Sequence, residues 1–267
     1  MSNKGFKTKK SLGQNFLKDE IVIEQIAQAA GCGPMDTVVE IGPGLGVLTD
    51  ALSERAGKVI AVELDDRLIP ILNTRFALRD NVEIVHEDIL KFDWSGVSPE
   101  EGGDLHIAGN LPYYITTPIL LGILEKKVPA KSITVMVQKE VADRIVAPPG
   151  GKDYGVLSIS LQYYAKARKV LDVPAECFDP KPKVDSSVVV LDLKEERALA
   201  PDEEGKFFRL VKQAFMQRRK TLSNSLSGFD GKGKEEIEEI LLRNGIDPKR
   251  RAETLSLEEY IQLSKEI

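Results

Sequence analysis

Strand-like and helix-like hydrophobic patterns alternate along the first part of the chain. Short apolar runs begin at Val38, Val59 and Val82, which is typical of buried strands. Residues 20–30 instead place apolar side chains at the three-and-four spacing of a helix, and helical patterns also cover residues 48–56 and 66–78. This alternation predicts a parallel sheet of the doubly wound α/β class.

The pattern continues with further strands and helices before it changes character. Strands are predicted at residues 105–109, 133–138, 169–173 and 187–191, helices at residues 118–126, 139–145 and 154–164, and a loop at residues 93–104. Residues 201–205 indicate a joint between domains. Beyond the joint, residues 207–215, 221–226, 235–244 and 257–267 are all helical in pattern. We therefore predict an α/β catalytic domain at residues 1–200 and a small all-helical domain at residues 201–267.

The first strand ends in an acid that is followed by alternating glycines. Glu40 precedes Gly42, Gly44 and Gly46, and a helical pattern follows. Glycine tolerates positive φ and lets a ligand approach the backbone, while the start of a helix offers unpaired N–H groups. The segment is predicted to hold a nucleotide-like ligand, although an ordinary strand-to-helix turn has the same composition.

Two further acids stand at the ends of the next strands. Glu63 lies 21 positions after Gly42, where a nucleotide fold places the acid that binds the ribose hydroxyls. Asp88 follows the third strand and is expected to accept a hydrogen bond from an adenine amine. Ligands of doubly wound sheets lie outside the carboxyl ends of the strands, so these acids and the glycines are expected to form one site.

The fourth strand brings Asn110, Leu111, Pro112 and Tyr113 to the same edge. The Asn110 side-chain oxygen and the Leu111 carbonyl can accept the hydrogens of an amino group. Proline fixes φ and stiffens the turn, and a tyrosine ring offers a face on which a base can stack. A proline-containing asparagine turn beside core tyrosines would have the same residues.

Both motifs resemble those of S-adenosylmethionine-dependent enzymes. The G-x-G-x-G spacing after Glu40 resembles the cofactor site of class I methyltransferases, and N-L-P-Y resembles the [N/D/S]-[P/L]-P-[Y/F/W] signature of enzymes that methylate exocyclic amino groups of bases. The resemblance implies S-adenosylmethionine as cofactor and S-adenosylhomocysteine as product. It implies that Glu40 holds the methionine ammonium, that Gly42 leaves room for the methionine part, and that Asn110 contacts both cofactor and target.

Two more segments resemble the ribosomal RNA adenine dimethyltransferases, specifically the bacterial small-subunit type. They are K-K-S-L-G-Q-N-F-L at residues 9–17 and F-x-P-x-P-x-V-x-S at residues 178–186. The resemblance implies that Gln14, Asn15 and Leu17 contact the cofactor and that Phe178 borders the target-base pocket. It also implies transfer of four methyl groups to two adjacent adenosines near the 3′ end of 16S rRNA. A proline-rich connector with Phe178 packed inward is the alternative.

Cysteines and histidines give no support for a metal site or a disulfide. Cys32 and Cys177 are far apart, and His86 and His106 are the only histidines. The chain has no apolar run of about 18 residues, the length of a membrane span. We therefore expect a cytoplasmic monomer without metal or membrane association.

The charge pattern is uneven. A net charge of −5 speaks against nucleic-acid binding through overall charge, yet cations cluster at three places. The clusters are Lys4, Lys7, Lys9, Lys10 and Lys18; Arg218, Arg219 and Lys220; and Lys249, Arg250 and Arg251. They are expected to share one face and contact phosphates of the small ribosomal subunit, although each alone is typical of solvated surface.

Three alternatives remain at this point. A large-subunit (23S) rRNA methyltransferase of the macrolide-resistance type would share the glycine, N-L-P-Y and N-terminal motifs. A DNA adenine methyltransferase would share the chemistry, although the sequence has no separate target-recognition domain. A ribosome-assembly factor that acts mainly by binding would need no catalysis.

Overall fold

The structure, a computed structural model, describes residues 14–99 and 101–267. Two compact units divide the chain. The first contains Met1–Ala142 and Ala167–Leu193, and the second contains Asp143–Lys166 and Lys194–Ile267. The predicted boundary after residue 200 falls inside the second unit, which also takes in a segment that the sequence pattern assigned to the α/β domain.

The first unit is built on a sheet of seven strands, with a separate two-stranded ribbon. The strands are β1 (Phe16–Leu17), β2 (Thr37–Ile41), β3 (Lys58–Glu63), β4 (Val82–His86), β5 (Leu105–Asn110), β6 (Ser132–Gln138), β7 (Ala165–Val173), β8 (Phe178–Asp179) and β9 (Ser186–Leu193). The large sheet has the order β4-β3-β2-β5-β6-β9-β7, and β1 pairs with β8. Strands β2 to β6 are parallel to one another and β9 is antiparallel to β6, which confirms the predicted α/β class.

The helices are α1 (Glu20–Ala30), α2 (Val47–Ser53), α3 (Ile69–Arg75), α4 (Thr116–Glu125), α5 (Lys139–Val146), α6 (Val156–Tyr164), α7 (Pro201–Phe215), α8 (Leu222–Leu226), α9 (Lys234–Arg243) and α10 (Leu257–Glu266). Helix α1 has the predicted bounds because both of its ends are capped. The Asp19 side chain accepts from the N–H groups of Ile21 and Val22, and Gly31 closes the helix with φ 68°. Every residue of β2 is buried, which places this strand at the centre of the core.

The second unit is helical in its C-terminal part, where the described residues 194–267 contain no strand. Residues 201–205 do not form the predicted joint but begin α7. Pro201 stands in the first turn, where proline is tolerated, and the Glu203 side chain accepts from the Ala200 N–H at 2.9 Å.

Aromatic packing explains why residues 143–166 belong to the second unit. The Tyr163 ring of α6 lies 4.9 Å from the Phe207 ring of α7, centroid to centroid. Its hydroxyl donates to the buried Glu204 carboxylate at 3.1 Å, and Arg197 donates to the same carboxylate at 3.0 Å. The contact joins side chains about 40 positions apart, which hydrophobic periodicity cannot reveal.

Candidate active site

A cavity lies at the carboxyl ends of β2, β3 and β5 in the first unit. It offers about 1170 Å³ of atom-free space, part of it open to solvent. Its walls include all the predicted site residues except one: Gln14, Asn15, Leu17, Glu40, Gly42, Gly44, Glu63, Asp88, Asn110, Leu111, Pro112 and Tyr113. The predicted residue that does not line it is Phe178.

Sheet topology places the cavity here. Strand β2 has β3 on one side and β5 on the other, so the chain changes direction across the sheet at this strand. Such a switch point opens a crevice beyond the strand ends. Ile41 of β2 pairs with Val62 and with Gly109, so Glu63 and Asn110 are the next residues on each side.

Glycines in and near this crevice have different structural reasons. Gly42 has φ 67°, and a Cβ there would meet no atom within 4 Å, so the backbone faces open space. Gly46 has φ 79°, and its Cβ would lie 2.7 Å from the Phe76 ring. Gly109, which the sequence argument did not single out, approaches β2 so closely that a Cβ would lie 2.6 Å from the Ile41 carbonyl oxygen.

Glu40 is a buried acid with an unused oxygen. Its side chain is 1% exposed, and among the described residues none forms a hydrogen bond with Oε2. Burial, with the neighbouring Glu63 carboxylate, raises the pKa of Glu40 to about 8. A cation placed in the cavity would favour the charged form of this carboxyl group.

Glu63 connects the glycine loop to the segment after β3. Its Oε2 accepts from the Gly44 N–H at 3.1 Å and its Oε1 from the Asp65 N–H at 2.8 Å. Burial raises the pKa of Glu63, and these backbone donors oppose the rise. A carboxylate has about four acceptor positions, so Glu63 can still accept from a ligand hydroxyl.

Asp88 is held in a tight turn after β4. Its Oδ1 accepts from the Leu90 N–H at 3.0 Å. The adjacent Ile89 is buried and also lines the cavity, although sequence reasoning did not identify it. The pair offers one polar and one apolar contact, as a planar heterocycle with an amino group requires.

The N-L-P-Y segment is fixed by contacts with several elements. Asn110 donates from Nδ2 to the Asn15 carbonyl at 3.1 Å, which leaves its side-chain oxygen as an acceptor. The Leu111 N–H donates to the Met136 carbonyl at 3.1 Å, and none of the described residues donates to the Leu111 carbonyl. The Tyr113 hydroxyl lies 2.7 Å from the Ser186 hydroxyl at the start of β9. Burial raises the pKa of Tyr113, so its phenol stays protonated.

The described part of the N-terminal motif follows the cavity wall, whereas residues 9–13 lie outside the described residues. Gln14 donates from Nε2 to Asp65 at 2.8 Å, and Arg67 also donates to this carboxylate. The Arg67 contact holds the pKa of Asp65 well below its usual range. Asp65 was not predicted as a site residue. Its sequence signal was the acid two positions after Glu63.

Phe178 lies in the core rather than on the cavity wall. It is 2% exposed, pairs with Leu17 between β8 and β1, and belongs to a cluster with residues of α1 and α2. This is the inward packing that the sequence left open. For Phe178 to contact a target base, its ring would have to leave this cluster. That contact stays a prediction.

One group of possible metal ligands occurs among the described residues, at the opposite edge of the sheet. Asp36, Asp104 and His106 stand at the starts of β2 and β5. The Asp36 carboxylate already accepts from the Gly33 and Asp104 N–H groups, each at 2.7 Å, and Lys131 pairs with Asp104. These contacts tie two strand starts together.

The second and third basic clusters meet within the second unit. The Leu222 N–H donates to the Arg250 carbonyl at 2.8 Å, and the Ser223 N–H donates to the Pro248 carbonyl at 3.2 Å. Arg219 and Lys220 are exposed just before this contact. Arg250 is engaged internally, since its guanidinium binds Glu259 and the Thr254 carbonyl.

The helices within residues 14–99 and 101–267 include none with the length and hydropathy of a membrane span.

Comparisons with known proteins show the family of this chain. Residues 5–267 match the family model described as "Ribosomal RNA adenine dimethylase". Ribosomal RNA small subunit methyltransferase A of Shouchella clausii is 49% identical over 267 residues, which cover 97% of this chain and 90% of the relative.

Two solved structures are similar over almost the whole chain. A dimethyladenosine transferase from Plasmodium falciparum has a TM-score of 0.81 and 27% identity, covering 93% of this chain and 95% of the other. The 23S rRNA methyltransferase ErmE has a TM-score of 0.75 and 25% identity, covering 94% and 99%. Because the family model spans nearly the whole sequence and a curated relative is 49% identical, this chain belongs to the ribosomal RNA adenine dimethylase family.

Proposed function

We propose that this protein transfers methyl groups from S-adenosylmethionine to N6 of two adjacent adenosines in the 3′-terminal hairpin of small-subunit (16S) rRNA. The products are N6,N6-dimethyladenosine, S-adenosylhomocysteine and one proton, lost from N6 to solvent, for each methyl group transferred. The observation that carries the proposal is a single cavity in which three acids suited to a nucleoside cofactor face the amide and carbonyl acceptors of Asn110 and Leu111.

The residues present fit S-adenosylmethionine. The unused Glu40 oxygen suits the methionine ammonium, and the open space beyond Gly42 suits the methionine chain. Glu63 has acceptor positions left for the ribose hydroxyls, and Asp88 can accept from the adenine amine. When bound, the cofactor supplies a methyl group on a positively charged sulfur.

The remaining chemistry is the activation of a weak nucleophile. The lone pair of adenine N6 is delocalised into the ring, so the nitrogen attacks poorly while it stays planar. The Asn110 oxygen and the Leu111 carbonyl would accept the two N6 hydrogens and favour a tetrahedral nitrogen. A base flipped out of the RNA would stack on Tyr113, whose position is fixed through Ser186.

Identity favours the small subunit over the large one. A curated small-subunit methyltransferase is 49% identical, whereas the 23S rRNA methyltransferase ErmE is 25% identical. Because ErmE has a similar fold over 94% of this chain and is itself an rRNA methyltransferase, the distinction concerns the RNA that is bound rather than the type of reaction.

Labelled methyl transfer tests the proposal directly. Unmodified small subunits, large subunits and a DNA duplex are incubated with labelled S-adenosylmethionine, and the nucleosides are then separated. We expect dimethyladenosine in the small subunit alone. Label in the large subunit would overturn the choice of RNA, label in the duplex would indicate a DNA methyltransferase, and no label would leave binding as the leading role.

A further inference from the structure

One aromatic side chain differs from all others in the described part of the chain. Tyr114 is 56% exposed, whereas every other phenylalanine, tyrosine and tryptophan within residues 14–99 and 101–267 is buried or less than about a third exposed. Tyr114 also lines the cavity that contains Asn110. The exposed ring therefore stands at the mouth of the amino-group pocket rather than on a remote surface.

The backbone around this ring is held in place. The Pro112 carbonyl accepts from the Ile115 N–H at 3.2 Å and from the Thr116 hydroxyl at 3.1 Å, which closes a turn around residues 112–115 at the start of α4. The preceding Tyr113 is anchored through its hydroxyl to Ser186. Two successive tyrosines thus differ in role: one is half-buried and hydrogen-bonded, and the next is exposed.

An exposed ring on a fixed turn suits a nucleobase. Aromatic rings bind unpaired bases by stacking, and the contact tolerates any base because each has a flat π face. When an enzyme takes one base out of its stack, the neighbouring base loses its stacking partner as well. A second ring beside the pocket can replace that partner.

We propose that Tyr114 stacks the nucleobase adjacent to the adenosine in the target pocket, and so forms a second nucleotide subsite. The inference rests on the proposed function, because it requires an RNA substrate. Since the two modified adenosines are neighbours, the base on Tyr114 is the other target for at least one of the two reactions. The Tyr114 ring would hold one adenosine while the other, in the target pocket, is methylated.

Steady-state kinetics with Tyr114→Ala, Tyr114→Phe and Leu78→Ala test the subsite. Leu78 is 95% exposed and does not line the cavity, so its substitution is a matched control for removal of an exposed apolar side chain. We expect Tyr114→Ala to raise the KM for unmodified small subunits about tenfold, the order of effect of one lost base–aromatic stack. Tyr114→Phe and Leu78→Ala should behave like the parent, and the KM for S-adenosylmethionine should not change.

Product analysis gives a second readout. Tyr114→Ala should increase the fraction of subunits with only one adenosine dimethylated, since the second adenosine is no longer held. An unchanged subunit KM with an unchanged product ratio would overturn the subsite. An equal rise in both KM values would also overturn it, because the ring would then support the cavity as a whole. If the parent labels only large subunits, the proposed function fails, and the same variants test the subsite on that RNA.

Discussion

Asn110 connects two parts of the site through its two amide atoms. Its nitrogen donates to the carbonyl of Asn15 in the N-terminal segment, and its oxygen remains as an acceptor at the end of β5. One side chain is therefore bonded to the N-terminal segment through its nitrogen, and its oxygen can accept from the amino group that would be methylated. No aliphatic replacement can supply both contacts.

Substitution of Asn110 by alanine should lower turnover far more than it weakens cofactor binding. Loss of one positioned polar group at a reacting centre lowers kcat by about 10²–10³-fold, whereas the acids proposed to bind the cofactor are untouched. Single-turnover methyl transfer and titration with S-adenosylhomocysteine measure the two effects. Turnover within a few-fold of the parent would show that Asn110 has another role.

Glu40 should make cofactor binding depend on pH. Its pKa of about 8 means that the carboxyl group is mostly protonated at pH 7 in the free protein. The methionine ammonium favours the charged form, so binding should release a proton below about pH 8, and affinity should rise with pH towards that value. Calorimetry in two buffers of different ionisation enthalpy measures the proton release.

Glu40→Gln is the matched variant for that experiment. It should bind the cofactor more weakly and with no proton release, since a glutamine does not titrate. The unliganded parent should also lose stability as the pH rises from about 4.5 to about 8, because the folded state holds this proton more tightly than the unfolded chain does. If the cofactor affinity of Glu40→Gln depends on pH as that of the parent does, Glu40 does not bind the ammonium group.

At the scale of elements, the short N-terminal strand β1 forms part of the wall of the cavity. Phe16 and Leu17 pair with β8, Gln14 bonds to Asp65, and Asn15 accepts from Asn110. A strand of two residues has little stability alone. Its position therefore depends on side-chain contacts at the ends of β3 and β5.

Gln14→Ala should release this wall and let the cofactor dissociate faster. Hydrogen bonds to charged groups contribute about 1.5–3 kcal/mol, so the dissociation rate should rise roughly tenfold or more. Turnover at saturating cofactor should change much less. Stopped-flow dissociation of S-adenosylhomocysteine measures the rate, with the exposed Gln25→Ala on α1 as control. Equal dissociation rates in both variants would assign no binding role to the Gln14 contact.

At the scale of the whole molecule, an acidic protein is expected to bind an acidic polymer. The second unit concentrates cations where the segment around Leu222 meets the segment around Arg250. Arg250 is engaged with Glu259. The side chains of Arg219, Lys220, Lys249 and Arg251 are exposed. Arg218 is exposed as well, although it donates to the Lys152 carbonyl at 2.6 Å.

Charge reversal at Arg218 and Arg219 should weaken subunit binding and flatten its salt dependence. Each lost phosphate contact lowers the slope of log K against log salt by about 0.7–0.9, so the double variant should lose up to about 1.4–1.8. Reversal of Arg243 and Lys265, also exposed in the second unit, gives the same net charge as a control. Identical slopes for the two variants would remove Arg218 and Arg219 from the interface.

Local sequence determined much of this protein because the relevant signals are short in range. Period-2 and period-3.6 patterns predicted the ten α-helices of the described residues and the strands of the large sheet, but not the two-residue strands β1 and β8. Caps at Asp19 and Gly31 fixed α1 to the residue. The order of strands and helices implied the parallel sheet, and therefore the edge where Glu40, Glu63, Asp88 and Asn110 meet. Motif chemistry then indicated a methyl donor beside an amino-group pocket.

Tertiary structure alone decided the contacts that join distant segments. Tyr163 packs on Phe207 and draws residues 143–166 into the second unit, Phe178 packs inward against Leu17, and Arg250 is bound by Glu259. Asp65 and Tyr114 gained their significance in the same way, one from a contact with Gln14 and the other from exposure at the cavity mouth. Periodicity reports which face of an element is buried. It does not report which residue covers that face, because the partner is chosen by the packing of the whole chain.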